Sequence, residues 1–288
     1  MCRYSGGRVL AVESGLYVVA TPIGNLGDIS QRALAVLAAA DLVAAEDTRH
    51  SARLLQHYSI DVPLQAYHDH SNARAQARIM ACLEASGVVV LVSDAGTPLI
   101  SDPGYRLVRE AQEQGYRVIP IPGACAAIAA LSASGLPTDR FLFEGFLPAK
   151  AGARAARLQA LATETATLVF YEAPHRVAET LEAMVVAFGA EREALLAREL
   201  TKTFETLRRA PLAELAAFVA ADSNQQRGEI VLAVSGSRGH DQELTPDITR
   251  LLLRLVAELP ARRASAVVAD LTGLRKKVLY DFLLEQKD

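Results

Sequence analysis

Short apolar runs rich in β-branched residues alternate, along the first half of the chain, with segments whose apolar residues recur at helical spacing. Four of these runs predict buried strands, at Leu16–Ala20, Asp41–Ala45, Val88–Val90 and Val118–Ile121. The segments between and after them predict helices, and Ser30 is the expected N-cap of the first one. Strands that alternate with helices in this way predict a doubly wound, mostly parallel sheet.

The alternation resumes after Gly135–Asp139, which is the best candidate for a domain boundary. Further strands are predicted at Phe141–Phe143, Thr167–Tyr171, Glu193–Arg198 and Glu229–Val234. Three helices with helix-turn-helix spacing follow a polar linker, at residues 248–259, 261–271 and 276–285. We therefore expect a flexible N-terminal extension over residues 1–15, α/β domains over 16–135 and 136–236, and a helical helix-turn-helix-like tail over 237–288.

The stretch from Leu91 to Gly104 predicts a binding loop. It follows a strand and spans about ten residues, where a connection of two to six is usual. Asp102 is the expected N-cap of the next helix, with Pro103 at its first position. Small-residue turns also end two other strands, at Pro22–Gly27 and Pro122–Ala124. Three such turns at the carboxyl edge of one sheet favour a ligand cleft lined by backbone groups, rather than routine turn chemistry.

Composition limits the function classes that fit. The net charge of −3 and the pI near 6.1 leave no overall basic field, so nucleic acid would need local basic patches. Neither a G-x-G-x-x-G after the first strand nor a G-x-x-x-x-G-K-[ST] is present, which disfavours dehydrogenases and nucleotide triphosphatases. The three cysteines, Cys2, Cys82 and Cys125, lack metal-binding spacing, so we expect no metal and a reducing, cytoplasmic location. The apolar runs are too short to span a bilayer, so we expect no membrane partner.

Several stretches together identify a family that the chain resembles: Leu16–Asp28, Ala44–Arg49, Ser93–Gly104, Tyr171–Arg176, Arg198–Lys202 and Gly228–Val231. They occur in order between residues 16 and 235, and the chain is similar in them to the ribosomal RNA small subunit methyltransferase I family. The members of that family are S-adenosylmethionine-dependent 2′-O-ribose methylases of the tetrapyrrole methylase superfamily.

The resemblance implies two α/β domains with S-adenosylmethionine bound in the cleft between them, in a homodimer. The substrate would be the ribose 2′-hydroxyl of a cytidine in the decoding centre of 16S rRNA, as naked RNA or in the 30S subunit, and no DNA is expected. The implied donor-binding residues are Pro22, Ile23, Asp94, Ala95, Gly96, Pro98, Ile100, Pro122, Gly123, Ala124, Cys125, Tyr171, Gly228, Glu229 and Ile230.

The candidates for catalysis lie in the same stretches, whereas most candidates for RNA binding are basic residues outside them. Glu46, Asp47, Glu199 and Lys202 are the candidates for handling the proton of the 2′-hydroxyl. Arg49 and Lys202 could instead neutralise a phosphate or the alkoxide. The predicted RNA contacts are Arg49, Lys150, Arg154, Arg157, Arg275, Lys276 and Lys277. Within Pro148–Arg157, alanines take several positions where many relatives carry lysine or arginine.

Two other functions stay open. One is a methylase with the same donor fold that acts on a corrin or porphyrin precursor. The Ala-Glu-Asp-Thr-Arg and Glu-Ala-Pro-His-Arg stretches and the helical tail argue against it. The other is a non-enzymatic RNA-binding protein, which would have no need for the donor loops.

Overall fold

The computed structural model describes residues 12–68, 73–237, 246–272, 274 and 276–286. Contacts divide the chain into two compact units. The first runs up to Leu161 and includes Ala166–Ser235, and the second contains Ala162–Thr165 and the chain after Ser235. Residues 1–11 of the predicted N-terminal extension lie outside the described residues. The predicted domain boundaries at residues 135 and 236 stay predictions.

The first sheet of the larger unit is entirely parallel, with strand order β3-β2-β4-β1-β5. Its strands are β1 (Gly15–Val19), β2 (Leu42–Ala45), β3 (Leu64–Ala66), β4 (Val88–Val92) and β5 (Val118–Ile121). The helices that follow them are α1 (Gln31–Ala38), α2 (Thr48–His57), α3 (Ala73–Glu84), α4 (Tyr105–Glu113) and α5 (Ala126–Ala133).

Neighbouring side chains of each strand point to opposite faces of this sheet, and helices cover both faces. Val90 packs into one core layer with Leu37 of α1, whereas its neighbour Leu91 packs into the other with Ile79 of α3 and Leu107 of α4. Because both faces of β4 are covered, the strand is a continuous run of buried Val and Leu. The doubly wound, parallel first sheet was predicted correctly.

The second sheet has the order β6-β7-β10-β8-β9. Its strands are β6 (Phe141–Phe146), β7 (Thr167–Glu172), β8 (Glu193–Arg198), β9 (Thr206–Pro211) and β10 (Ile230–Val234), and its helices are α6 (Ala151–Leu161), α7 (Val177–Phe188) and α8 (Leu212–Ala221). Only β6 and β7 pair in parallel, and the other pairs are antiparallel. Helix α5, which leaves the first sheet, packs Ala130 and Leu131 against Val169 and Val231 of this second sheet.

The smaller unit contains α9 (Pro246–Val256), α10 (Ala261–Thr272) and α11 (Lys276–Glu285). These helices have a core of their own, made by Leu252, Ala264, Val268, Leu274, Leu279 and Leu283. The three predicted tail helices are thus present. No helix within the described ranges is long and apolar enough to cross a membrane.

The predicted start of helix α4 was wrong. Helix α4 begins at Tyr105 with Gly104 as its N-cap, not with Asp102 as N-cap and Pro103 at the first position. Gly104 has φ +130°, and a Cβ there would lie 2.8 Å from Cδ2 of Leu91, so the chain makes a sharp turn that only glycine accommodates. Ser30 does cap α1 as predicted, and its Oγ accepts the N–H of Ala33 at 3.0 Å.

The edge strands β3 and β9 were missed. β3 has only three residues and β9 carries Arg208 and Arg209, so neither shows an apolar β-pattern.

The polar segment Pro148–Arg157 was predicted to lead into a helix, whereas α6 already begins within it at Ala151.

Candidate functional site

Hydrogen bonds join the three loops that follow β1, β4 and β5. The N–H of Thr21 donates to the carbonyl of Gly96 at 2.8 Å, and the N–H of Gly96 donates back to the carbonyl of Thr21 at 3.1 Å. Thr97 Oγ1 donates to the carbonyl of Ala124 at 2.9 Å. The loops therefore form one continuous floor at the carboxyl edge of the first sheet, where open α/β sheets bind ligands.

A cavity of about 470 Å³ opens above this floor, and it is lined by loops of the first sheet and by strands and loops of the second. We call it the cleft cavity. Its walls include seven of the predicted donor-binding residues, Ile23, Asp94, Ala95, Tyr171, Gly228, Glu229 and Ile230, as well as Glu46. Pro22 lines a neighbouring cavity instead. The other predicted donor residues, Gly96, Pro98, Ile100, Pro122, Gly123, Ala124 and Cys125, belong to the loops but are not among its lining residues.

The cleft cavity is lined by carboxyl groups. Glu46, Asp94, Asp102, Glu172 and Glu229 contribute to its walls, and no lysine, arginine or histidine stands among its lining residues in the described part of the chain. The side chain of Glu172 is fully buried and compensated by the Thr180 hydroxyl at 2.6 Å and the Arg176 guanidinium at 3.3 Å. Carboxyl groups in a cavity without basic lining residues favour a cationic ligand over an anionic one.

Asp94 and Asp102 both belong to the loop after β4. A carboxylate oxygen of Asp94 accepts the N–H of Asp47 at 3.0 Å, which ties this loop to the start of α2. Burial raises the pKa of Asp102, and the nearby Asp94 carboxylate raises it further, although a hydrogen bond from Ser93 lowers it in part. Sequence reasoning missed Asp102 as a site residue because it assigned that side chain to helix capping.

Tyr171 forms an aromatic wall with two phenylalanines. Its ring lies edge-on to Phe143 at 5.0 Å and to Phe146 at 5.7 Å between centroids, and its Oη accepts the N–H of Ala127 at 3.3 Å. Burial is the main cause that raises the pKa of Tyr171, so the phenol stays neutral. Phe146 lines the cavity and is more than half exposed. The sequence pattern predicted the beginning of this strand at Phe141–Phe143 and gave no signal for Phe146.

Lys202 bridges two carboxylates in the loop after β8. Its Nζ lies 2.8 Å from Oε1 of Glu199 and 3.1 Å from Oε2 of Glu229. Burial would raise the pKa of Glu199, but hydrogen bonds from Lys202 and from the N–H of Glu229 outweigh it, and the pKa lies below its usual value. Burial would lower the pKa of Lys202, but its two carboxylate partners raise it overall. The lysine is therefore held as a cation.

Two glycines permit the close packing around this bridge. A Cβ on Gly24 would overlap the side chain of Lys202, and a Cβ on Gly228 would overlap the carboxyl of Glu199. Gly228 also has φ +79°. The loop after β1 and the turn before β10 thus both approach the Glu199–Lys202 pair because they lack a side chain at these positions.

Asp47 begins α2 and is paired within its own loop. Its carboxylate accepts the N–H of Arg49 at 2.8 Å and forms an ion pair with the Arg49 guanidinium at 2.7 Å. The hydrogen bonds from Arg49 hold the pKa of Asp47 well below its usual value. Asp47 and Arg49 therefore balance each other's charge at the rim, whereas Glu46 lines the cleft cavity.

The predicted RNA contacts differ in their surroundings. Arg154 is only 4% exposed and forms an ion pair with Glu179 at 2.9 Å, so it stabilises α6 against α7 and is left out of the RNA surface. Arg157 forms a forked pair with Glu144. Lys150, Lys276 and Lys277 are exposed. Arg275 lies outside the described residues. Among the residues that the structure describes, no cluster of three or more histidine, cysteine or acidic side chains could hold a metal ion.

We predict that Gly228→Ala weakens both folding and donor binding. The alanine adopts a positive φ and displaces the Glu199 carboxyl, which breaks its bonds to Lys202 and to the N–H of Glu229. Gly115→Ala is the matched control, since Gly115 also has φ +79° but a Cβ there meets nothing within 4 Å. Urea unfolding gives a loss of about 1–2 kcal/mol for the control, from backbone strain alone. A loss no larger in Gly228→Ala would contradict the packing argument.

We predict that Asp102→Asn stabilises the protein at neutral pH. The raised pKa of Asp102 means that the folded state disfavours the carboxylate, and this cost grows as pH rises from the unfolded pKa through the folded one. The variant should therefore have the higher melting temperature at pH 7. The difference should shrink as the pH falls from the folded pKa of this carboxyl towards its unfolded pKa, and it should be absent below the unfolded pKa. A gain that does not depend on pH points to a cause other than carboxylate burial.

Comparison with known proteins identifies the family. Residues 15–216 match the model of the Tetrapyrrole (Corrin/Porphyrin) Methylases, and residues 242–287 match the RsmI C-terminal HTH domain. A protein of Pseudomonas aeruginosa named "Ribosomal RNA small subunit methyltransferase I" is 58% identical over 94% of this chain and 97% of its own length.

Solved structures share the fold at low identity. The methyltransferase CobJ superposes with a TM-score of 0.58 at 19% identity, covering 78% of this chain and 95% of that one. Uroporphyrin-III C-methyl transferase from Thermus thermophilus, complexed with S-adenyl homocysteine, gives a TM-score of 0.52 at 19% identity over 77% and 97% of the two chains. The chain therefore belongs to the S-adenosylmethionine-dependent tetrapyrrole methylases, and within them to the ribosomal RNA small subunit methyltransferase I family.

Proposed function

We propose that this protein transfers a methyl group from S-adenosylmethionine to the ribose 2′-hydroxyl of a cytidine in the decoding centre of small-subunit 16S rRNA. The observation that carries the proposal is a cavity at the carboxyl edge of a parallel sheet, lined by carboxyls, in a chain 58% identical to a protein named for ribosomal RNA methylation. The cytidine and the 2′-oxygen come from the resemblance in the sequence motifs.

The cleft cavity fits a donor of this chemistry. Its volume of about 470 Å³ lies in the range of cofactor sites, about 300–1,000 Å³. Its carboxyls suit a ligand that carries a sulfonium and an ammonium group. Ile23, Ala95, Leu200 and Ile230 add apolar walls. We propose that these walls, with Asp94 and Tyr171, hold the donor.

The bound donor supplies an electrophilic methyl group, so the residues mainly have to position the acceptor oxygen and handle its proton. Lowered pKa values make Asp47 and Glu199 weak bases, and the raised pKa of Lys202 keeps it protonated. We therefore propose that one of two carboxyls in the wall of the cleft cavity, Glu46 or Asp102, accepts the proton of the 2′-hydroxyl. Lys202 is assigned to neutralise the negative charge that develops on the oxygen.

We predict that Lys202→Ala lowers kcat about 10²-fold, the usual effect of removing one charge-stabilising donor. Lys202→Arg keeps the charge and should retain more activity. Single-turnover methyl transfer measures the chemical step, and urea unfolding checks that both variants fold. If Lys202→Ala leaves both the rate and the RNA affinity unchanged, the assignment of Lys202 is wrong.

The proposed function is tested by methyl transfer from labelled S-adenosylmethionine to 30S subunits and to naked 16S rRNA, with the labelled nucleotide mapped. The expected label is on a cytidine ribose of the decoding centre, and the ratio of the two substrates identifies which form is recognised. Donor binding without any label on RNA would overturn the proposal. It would favour the other reaction class of this fold, methylation of a corrin or porphyrin precursor.

The remaining partner predictions rest on the resemblance alone. The homodimer stays a prediction that the mass in solution tests. The helical tail remains a candidate RNA contact because Lys276 and Lys277 on α11 are exposed. Lys150, just before α6, is exposed as well.

A further inference from the structure

A second cavity, of about 280 Å³, lies beside the cleft cavity, and we call it the α2 cavity. The two share Ile23, Asp94, Ala95 and Glu229 in their walls. The other residues of the α2 cavity come from the loop after β1, from α2 and from the loop after β8: Thr21, Pro22, Gly24, Leu26, His50, Arg53, Leu54 and Lys202. The two cavities therefore adjoin at these four residues.

The two cavities differ in charge. The cleft cavity has only carboxyls among its charged lining residues in the described chain, whereas His50, Arg53 and Lys202 line the α2 cavity beside Asp94 and Glu229. Helix α2 carries Arg49, His50, Arg53 and His57 and no acidic residue. In a protein with a net charge of −3, this helix is a local concentration of positive charge.

Arg53 is the cation on α2 whose charge is not balanced. Arg49 is paired with Asp47, and Lys202 is held between Glu199 and Glu229. Within the described ranges, Arg53 is exposed and no hydrogen bond or ion pair engages its guanidinium. His50 lies one helical turn before it and lines the same cavity. These two side chains present hydrogen-bond donors to whatever enters the α2 cavity.

The rest of the wall is apolar and held in place. Pro22, Leu26 and Leu54 line it, and Leu26 is 40% exposed. The Tyr58 hydroxyl donates to the carbonyl of Leu26 at 2.6 Å, which fixes the loop after β1 to α2. An apolar wall with an arginine at its rim matches the two parts of a nucleotide, a base or sugar face and an anionic phosphate.

We propose that the α2 cavity is the acceptor subsite, where the target nucleotide binds with a flanking phosphodiester on Arg53 and His50. Its sugar then lies next to Asp94 and Ala95, where the α2 cavity adjoins the cleft cavity, so that the 2′-oxygen meets the methyl group of the donor directly. The proposal rests on the proposed function, and it adds which residues recognise the RNA next to the reacting group. Arg53 is a binding residue in this scheme and takes no part in proton transfer.

The test compares Arg53→Gln with Arg109→Gln, a matched loss of one exposed arginine on α4, outside both cavities. We expect Arg53→Gln to raise the KM for 30S subunits on the order of tenfold, as loss of one charged hydrogen bond does. The slope of log affinity against log salt should fall by about 0.7. The Kd for S-adenosylmethionine should stay unchanged, and Arg53→Lys should recover part of the loss. Arg109→Gln should behave as the unmodified protein does.

Two results would overturn the subsite: equal KM values in Arg53→Gln and Arg109→Gln, or a loss of donor affinity as large as the change in KM. Direct binding of 16S rRNA, measured without methyl transfer, separates this proposal from the proposed function. If RNA binding depends on Arg53 but no methyl group is transferred, the subsite stands and the assigned reaction is wrong. If methyl transfer to RNA occurs with no dependence on Arg53, the reaction stands and the subsite is wrong.

Discussion

The reciprocal backbone hydrogen bonds between Thr21 and Gly96 are the constraint on which the site depends. They join the loops of two adjacent strands at a point where Thr21 is buried and Gly96 has φ +87°. A Cβ on Gly96 would lie 3.3 Å from Cγ2 of Ile23, a side chain that lines both cavities. A small change in this pairing would therefore move the floor of the cleft cavity and its boundary with the α2 cavity together.

The second sheet closes the cleft from the other side. Helix α5 follows β5 of the first sheet along the chain, but its side chains pack into the core of the second sheet. The hydroxyl of Tyr171 on β7 accepts the N–H of Ala127 in the first turn of α5. Lys202 extends from the loop after β8 to the backbone of Gly24. Apolar packing thus holds the sheets together, and a few polar side chains set the shape of the space between them.

Much of the fold could be predicted because burial determines the strand patterns. The Val-Val-Val-Leu-Val run of β4 is covered on both faces, and that demands apolar residues at every position. β9 was missed since an edge strand with exposed arginines carries no such requirement. The order of strands in the second sheet depends on long-range pairing, which no local pattern encodes.

The site was predictable where glycine and proline mark loops, and not where one side chain serves two possible roles. By sequence, Asp102 is a suitable N-cap for α4. In the structure Gly104 takes the N-cap position, and Asp102 lines the cleft cavity instead. Arg154 and Arg53 are both arginines on helices, yet one is buried against Glu179 and the other is exposed at a cavity. Burial separates them, and burial depends on the packing of other helices.

The exposed edge of the second sheet has a consequence for self-association. β9 is an edge strand that ends in Pro211, which has no N–H to donate, and Arg209 is already engaged with Glu193 and the carbonyl of Gly135. Two copies brought together along β9 would oppose their arginines, and charged residues and proline are common means of preventing such edge-to-edge pairing. The charged side chains and the proline of β9 therefore disfavour pairing of this edge with the same edge of a second copy.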